Sequence, residues 1–189
     1  VLGGNNATNF EIHDRIAHMG GLSGTVTTSQ GALSLVTTDP GADRRGASDY
    51  SDVQWWLEIY TALGATGVNA TVAVTYDDAS TGNLAAIALG ATPRQGRLYP
   101  LISAVSGRFI RAVTGVTLSA TTGTAGNFGI TATRPRTSVS MPLANKTETF
   151  DWAMLGLPNI PNDSCLFPLM LCSTTSTGIV RGGGKIIHG

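Results

Sequence analysis

Three histidines, one carboxylate pair and two cysteines are the residues of this 189-residue chain whose types invite a chemical role. In "HDRIAH", His13 and His18 suggest a metal or acid–base site. Their five-residue spacing points them away from one another on a helix, and no HExxH pattern or Cys/His cluster with zinc spacing accompanies them. His188 stands alone. In "YDD", Asp77 and Asp78 follow Tyr76 and precede Ser80, Thr81 and Gly82. Glycosidase chemistry needs two carboxyls about 5–9 Å apart across a sugar, and a turn start explains these aspartates with less. "DRR" (Asp43–Arg45) reads as a loop tip or a subunit contact. "GLSGT" and "AVSGR" miss the G-x-S-x-G elbow, and "RGGGK" lacks the Ser/Thr of a phosphate loop. Asn6, Asn69, Asn145 and Asn162 head N-x-[ST] triplets of a kind that Thr/Asn-rich chains produce by chance. No catalytic residue, metal ligand or cofactor is therefore expected.

Cys165 and Cys172 bracket "CLFPLMLC". On one extended strand they sit about 23 Å apart on opposite faces. A disulfide needs Cα atoms within about 7 Å, so two buried free thiols are expected unless Pro168 folds the segment back.

Charged residues make up 13%, with 12 basic and 12 acidic side chains, against a usual share of roughly 25%. Zero net charge argues against an electrostatic nucleic-acid binder and favours association. No apolar run reaches the roughly 18 residues of a membrane span. The start "VLGGNNATNFEIHD" lacks the basic and apolar regions of a signal peptide.

The elements that would position any site read as strands. "VQWWLEIYTA" (Val53–Ala62) and "VNATVAVTY" (Val68–Tyr76) alternate with period two, with "DDASTGN" as the turn after the second. Leu84–Ala91, Arg97–Ser103 and Arg108–Ala120 continue the series. "GVTLSATTGTAGNFGITATRP" (Gly115–Pro135) carries no charge before Arg134 and reads as a hairpin around a Gly/Thr turn. Strands at this spacing, with no convincing long helix, predict an all-β antiparallel sandwich or barrel. It spans residues 32–189, with a connector at 143–163, a short strand at Thr147–Met154, and a final hairpin of Ser164–Ser173 and Thr177–His188. Pro168 demotes the first of these to an edge strand or a bulge. Residues 1–31 read as an N-terminal arm. Ile12, Ile16 and Met19 recur at helical spacing between Asn9 and Gly20, which fits one or two amphipathic turns, and an extended arm fits as well.

Trp55 and Trp56 must point to opposite faces of a shared strand, so one fills the core and the other faces a sheet, a loop or a partner. Arg108 and Arg111 flank Phe109 and Ile110 in the same way and read as rim contacts.

"IHDRIAHMGGLSGTVTTSQ", "WWLEIYTALGATGVNATVAVTY", "VTLSATTGTAGNFGITATRP" and "IPNDSCLFPLMLCSTTSTG" resemble the β-rich virion structural proteins of tailed bacteriophages. The similarity runs from Ile12 to Ile187 in style and phrase, without signature residues. The resemblance implies a sandwich or jelly-roll-like body in the virion, assembled in the bacterial host cytoplasm. It implies a cement protein, self-associated as a homotrimer, that bridges major capsid protein subunits. On that reading the partners include no nucleic acid, membrane or small-molecule substrate. Phe10, Ile12, Ile16 and Met19 would be apolar contacts of a clamping arm, with Trp55, Trp56, Arg108 and Arg111 as further interface candidates. A tail, collar or fibre-base subunit is the alternative. A glycan- or receptor-binding module, with Trp55 or Trp56 beside Asp77 and Asp78, comes third.

Overall fold

Thirteen per cent charge and period-two patterning leave the chain one economical solution, strands that pair their backbones and bury alternate side chains. The computed structural model describes residues 8–141, 143, 147–156 and 158–172. In order they form β1 (Thr8–Leu22), β2 (Leu33–Ser34), the single turn α1 (Ala42–Arg45), β3 (Gln54–Thr61), β4 (Val68–Tyr76), β5 (Thr81–Asn83) and β6 (Ile87–Gly90). β7 (Leu98–Leu101), β8 (Ile110–Leu118), β9 (Asn127–Met141) and β10 (Leu166–Cys172) follow. One antiparallel sheet runs β10-β1-β9-β3-β7, and the other runs β2-β8-β4-β5 with β6 also on β4. The fold is an all-β sandwich, and among the described residues its sheets do not close into a barrel.

Two compact units divide the chain. One is Arg15–Arg134, and the other combines Val1–Asp14 with Pro135–Gly189. This differs from the expected arm at 1–31 and domain at 32–189. Residues 8–22 are a 15-residue strand rather than a helical or free arm. The helical spacing of Ile12, Ile16 and Met19 loses because pairing with strands far along the chain supplies every second residue with backbone partners. Phe10, Ile12 and Ile16 also share a period of two. Thr147–Met154 is not a strand; only Thr147 makes a bridge. The segment Thr177–His188 lies outside the described residues.

In the Arg15–Arg134 unit, β4 alternates without fault. Val68, Ala70, Val72, Val74 and Tyr76 are buried, and Asn69 and Thr71 are exposed. They join Trp55, Leu57 and Ile59 of β3 and Phe128, Ile130 and Ala132 of β9 in one apolar cluster. Each Val, Leu, Ile or Phe side chain among them contributes about 1.5–3 kcal/mol on burial. The β4–β8 register slips between Ala73↔Gly115 and Val74↔Val113, so Thr114 is an extra, exposed residue that bends β8. The Tyr76 hydroxyl is buried with no hydrogen-bond partner among the described residues. Tyr76→Phe is therefore expected to leave thermal stability unchanged or to raise it by up to about 1 kcal/mol. A clear loss on melting would mean that the hydroxyl is bonded after all.

The segment Gly115–Pro135 is not a hairpin. β8 belongs to one sheet and β9 to the other, so residues 119–126 cross between layers. Two β runs around a Gly/Thr turn look alike in both cases; only the pairing partners tell them apart. Thr122, 1% exposed, is the hub of the crossing. Its amide donates to the Gly24 carbonyl at 2.8 Å, and its carbonyl accepts from Thr66 at 3.2 Å. Its hydroxyl accepts from the Gly64 amide at 3.1 Å and donates to the Thr124 carbonyl at 2.7 Å. At Thr122 itself a charge would be costly, because its hydroxyl and backbone groups are satisfied in a buried junction of three loops.

In the other unit, β10 pairs with β1 from Thr8↔Cys172 to Asp14↔Leu166, and Pro168 sits in this edge strand. Pro135 falls just past the last β3–β9 pair, Gln54↔Thr133, where β9 needs no donor toward β3. Asp14 and Arg136 form an ion pair at 2.8 Å with side chains 0% and 4% exposed. The second Asp14 carboxylate oxygen accepts from the Cys165 amide at 2.9 Å. Cys165 is a free, exposed thiol, not a buried one, because it precedes the strand rather than lying in it.

Candidate interaction surfaces

The proposed contact residues divide between core and surface. Ile16, at 8% exposure, belongs to the apolar cluster, and Met19 packs against it half-buried. Both are spent on their own unit. Phe10 and Ile12 are half-buried in β1, opposite Met170 and Pro168 of β10. Opposed residues of an antiparallel pair share a face, so these four lie together on one sheet surface.

Trp55 and Trp56 take opposite faces of β3, as period two requires, yet neither offers an open ring. Trp55 is 2% exposed in the cluster and donates its indole N–H to the Ile110 carbonyl at 2.8 Å. Trp56, 9% exposed, donates to the Thr133 hydroxyl at 2.9 Å. On the Trp56 side, Glu58 takes both its oxygens to Arg15 Nη2, at 2.7 and 3.0 Å, and accepts from the Thr131 hydroxyl at 2.5 Å. Tyr60 Oη lies 3.3 Å from that hydroxyl. Burial pushes the Tyr60 phenol above its ordinary pKa. The loop around α1 is tied to β1 and β9: Arg44 donates to the Arg15 carbonyl and Arg134 to the Asp43 carbonyl, each at 2.9 Å. The described bonds of this polar layer run among its own side chains and the adjoining backbone.

Arg108 is held by its own chain, at 3.3 Å from Asp77 and 2.9 Å from Asp78. Asp77 also accepts the Phe109 amide at 3.0 Å. Hydrogen bonds from Ser80, then the Arg108 charge, hold the Asp78 carboxyl below the usual carboxylate range. The triad anchors the 102–109 loop. Arg111 is half-exposed in β8. His13 is buried, with Nε2 2.7 Å from Glu11 and its ring 5.9 Å from that of Phe167, whereas His18 is exposed. His188 lies outside the described residues. Among the described residues no group of three or more His, Cys, Asp or Glu is placed to hold a metal ion.

Sequence reasoning passed over the most exposed apolar side chains. Ile102 (73%) and Val105 (45%) crown the loop that Arg108 anchors. In the Pro135–Gly189 segment, Leu143 (55%), Trp152 (43%), Met154 (66%) and Leu171 (40%) face solvent. The turn that carries Trp152 and Met154 is built, not loose. Asp151 accepts the Met154 amide on its carboxylate at 2.8 Å and the Leu155 amide on its carbonyl at 3.2 Å. Thr137 of β9 donates to the Leu155 carbonyl at 2.9 Å. The signal was "DWAMLGL", an apolar run with a tryptophan inside a proline-flanked connector.

No family model matches this chain, and no curated protein sequence or solved structure matches it significantly.

Proposed function

We propose that this chain is a structural virion protein of a tailed bacteriophage, a decoration subunit that stabilises the capsid by bridging major capsid protein subunits. The observation that carries the reading is the placement of exposed apolar groups. Leu143, Trp152, Met154 and Leu171 present large side chains from a unit none of whose described residues joins the apolar cluster, which runs from Ile16 to Ala132. Trp is among the residues that most often dominate interface energy, and Met adapts to irregular surfaces. The low charge and zero net charge suit burial against another protein surface, since few ions need desolvation. The phrases shared in style with β-rich phage structural proteins supply the partner. The action is mechanical: interface area buried across capsomer junctions must be exposed again before a shell can rupture, and many copies make weak contacts add up.

Trp152→Ala tests the surface. Truncating a central aromatic anchor typically costs 2 kcal/mol or more of binding, so shell affinity is expected to fall at least about 30-fold. Melting of the isolated chain should hardly move, because the ring is already exposed. Unchanged binding of the variant to capsids would remove this turn from the contact.

A further inference from the structure

Most arginines described in this chain are held by it. Arg15, Arg45, Arg108, Arg134 and Arg136 each face a carboxylate, and Arg44 donates to the Arg15 carbonyl. Arg94 and Arg97 differ. Both are exposed, and no carboxylate or carbonyl of the described residues takes either guanidinium. They are also the only charged residues between Ala79 and Gly107, so their flanks offer no competing acid. The two share one turn, closed by the Arg97 amide donating to the Arg94 carbonyl at 3.2 Å. The ends of such a turn have Cα atoms within about 7 Å, so both side chains can reach one anionic group or two adjacent ones. β3 fixes the turn: the Gly96 amide donates to the Ile59 carbonyl at 2.8 Å, and the Ile59 amide to the Arg97 carbonyl at 2.9 Å. Thr92, whose amide donates to the Gly64 carbonyl at 3.0 Å, holds φ of +49°. That conformation is an outlier for a β-branched residue, and such strain clusters at ligand clamps. The Arg97 guanidinium carbon lies 4.8 Å from the ring centroid of Tyr99, which is 6% exposed. A stacked guanidinium is pre-ordered and keeps its in-plane N–H groups for acceptors.

We infer that the 92–97 turn is an anion-docking corner for a partner protein, where Arg94 and Arg97 take two adjacent carboxylates from an acidic segment. Charge complementarity selects the occupant. Each arginine fork matches one carboxylate in a bidentate pair, so two forks neutralise two neighbouring acidic side chains. A nucleic-acid backbone fits less well. Its binders track successive phosphates with several cations and stack bases on aromatic rings. This segment has no third cation, and the Tyr99 ring is already covered by Arg97. The corner stands or falls independently of the virion reading, because its test involves no capsid.

The test titrates hexaglutamate peptide into the full chain at low salt. The Nε–H NMR signals of Arg94 and Arg97 should shift and saturate, and the affinity should fall as salt is added. Arg94→Gln, at an exposed position, should weaken binding about tenfold while melting stays unchanged. Arg97→Lys should weaken it too, because a point charge replaces a stacked fork. Arg111→Gln removes an arginine that also lacks a carboxylate partner among the described residues, and it should leave binding intact. Peptide that shifts neither signal at millimolar concentration overturns the inference. So does equal binding to the native chain and to Arg94→Gln. Tighter binding of inorganic phosphate, or of a thymidine oligonucleotide, than of the peptide overturns it as well, by giving the corner to a free anion or to nucleic acid.

Discussion

Gly64→Ala is expected to destabilise the chain by about 3 kcal/mol or more, although it adds one methyl group. A Cβ at Gly64 would overlap the carbonyl of Thr122 and lie 2.6 Å from the amide nitrogen of Thr124. Both neighbours are backbone of the 119–126 crossing, so no side-chain rotation relieves the clash. The loop must move, and with it go the Thr122 bonds to the Gly24 carbonyl, the Thr66 amide and the Gly64 amide itself. For a chain of this length the melting temperature should drop by roughly 6–12 °C. Gly90→Ala is the contrast. Gly90 has φ of +70° with open space around it, so a methyl there meets only left-handed backbone strain, about 1–2 kcal/mol. Calorimetry of the two variants separates packing from conformation. Equal losses would mean that the three loops are not joined through Thr122.

Asp14→Ala is the second large effect. It removes the carboxylate that faces the Arg136 guanidinium, 4% exposed, and that also accepts the Cys165 amide. Deleting one member of a buried ion pair typically costs about 3–5 kcal/mol, because the remaining charge keeps its desolvation penalty. The double variant Asp14→Leu/Arg136→Met should recover most of that loss, since apolar replacement of both partners is often neutral. Denaturant melts of Asp14→Leu, Arg136→Met and the double give the coupling. Additive losses would show that the pair is not an energetic unit.

The strands were legible where their pattern was local. β4 falls on Val68–Tyr76, the range its alternation marks, and β3 lies within Val53–Ala62. Period two also put Trp55 and Trp56 on opposite faces. What hides Trp56 was not legible. Its neighbours Glu58, Arg15 and Thr131 come from three strands, brought side by side by sheet order alone. The same holds for β1, whose helical spacing is outweighed by partners some 160 residues away in β10. The Gly115–Pro135 segment misled for a related reason: its turn chemistry fits a hairpin, and its two strands join different sheets. The candidate surface was half legible. Phe10 and Ile12 lie on an accessible sheet face, Ile16 is core, and Trp152 and Met154 were masked by the look of a proline-rich connector.

The central claim is that the chain is a decoration subunit of a phage shell. The most direct measurement is co-sedimentation of the purified chain with capsids stripped of it, counting copies bound per shell. The account predicts saturation at a regular multiple of the lattice sites, together with a higher temperature of shell rupture. Absence of binding to shells, with binding instead to tails or to cell-surface glycan, would contradict it.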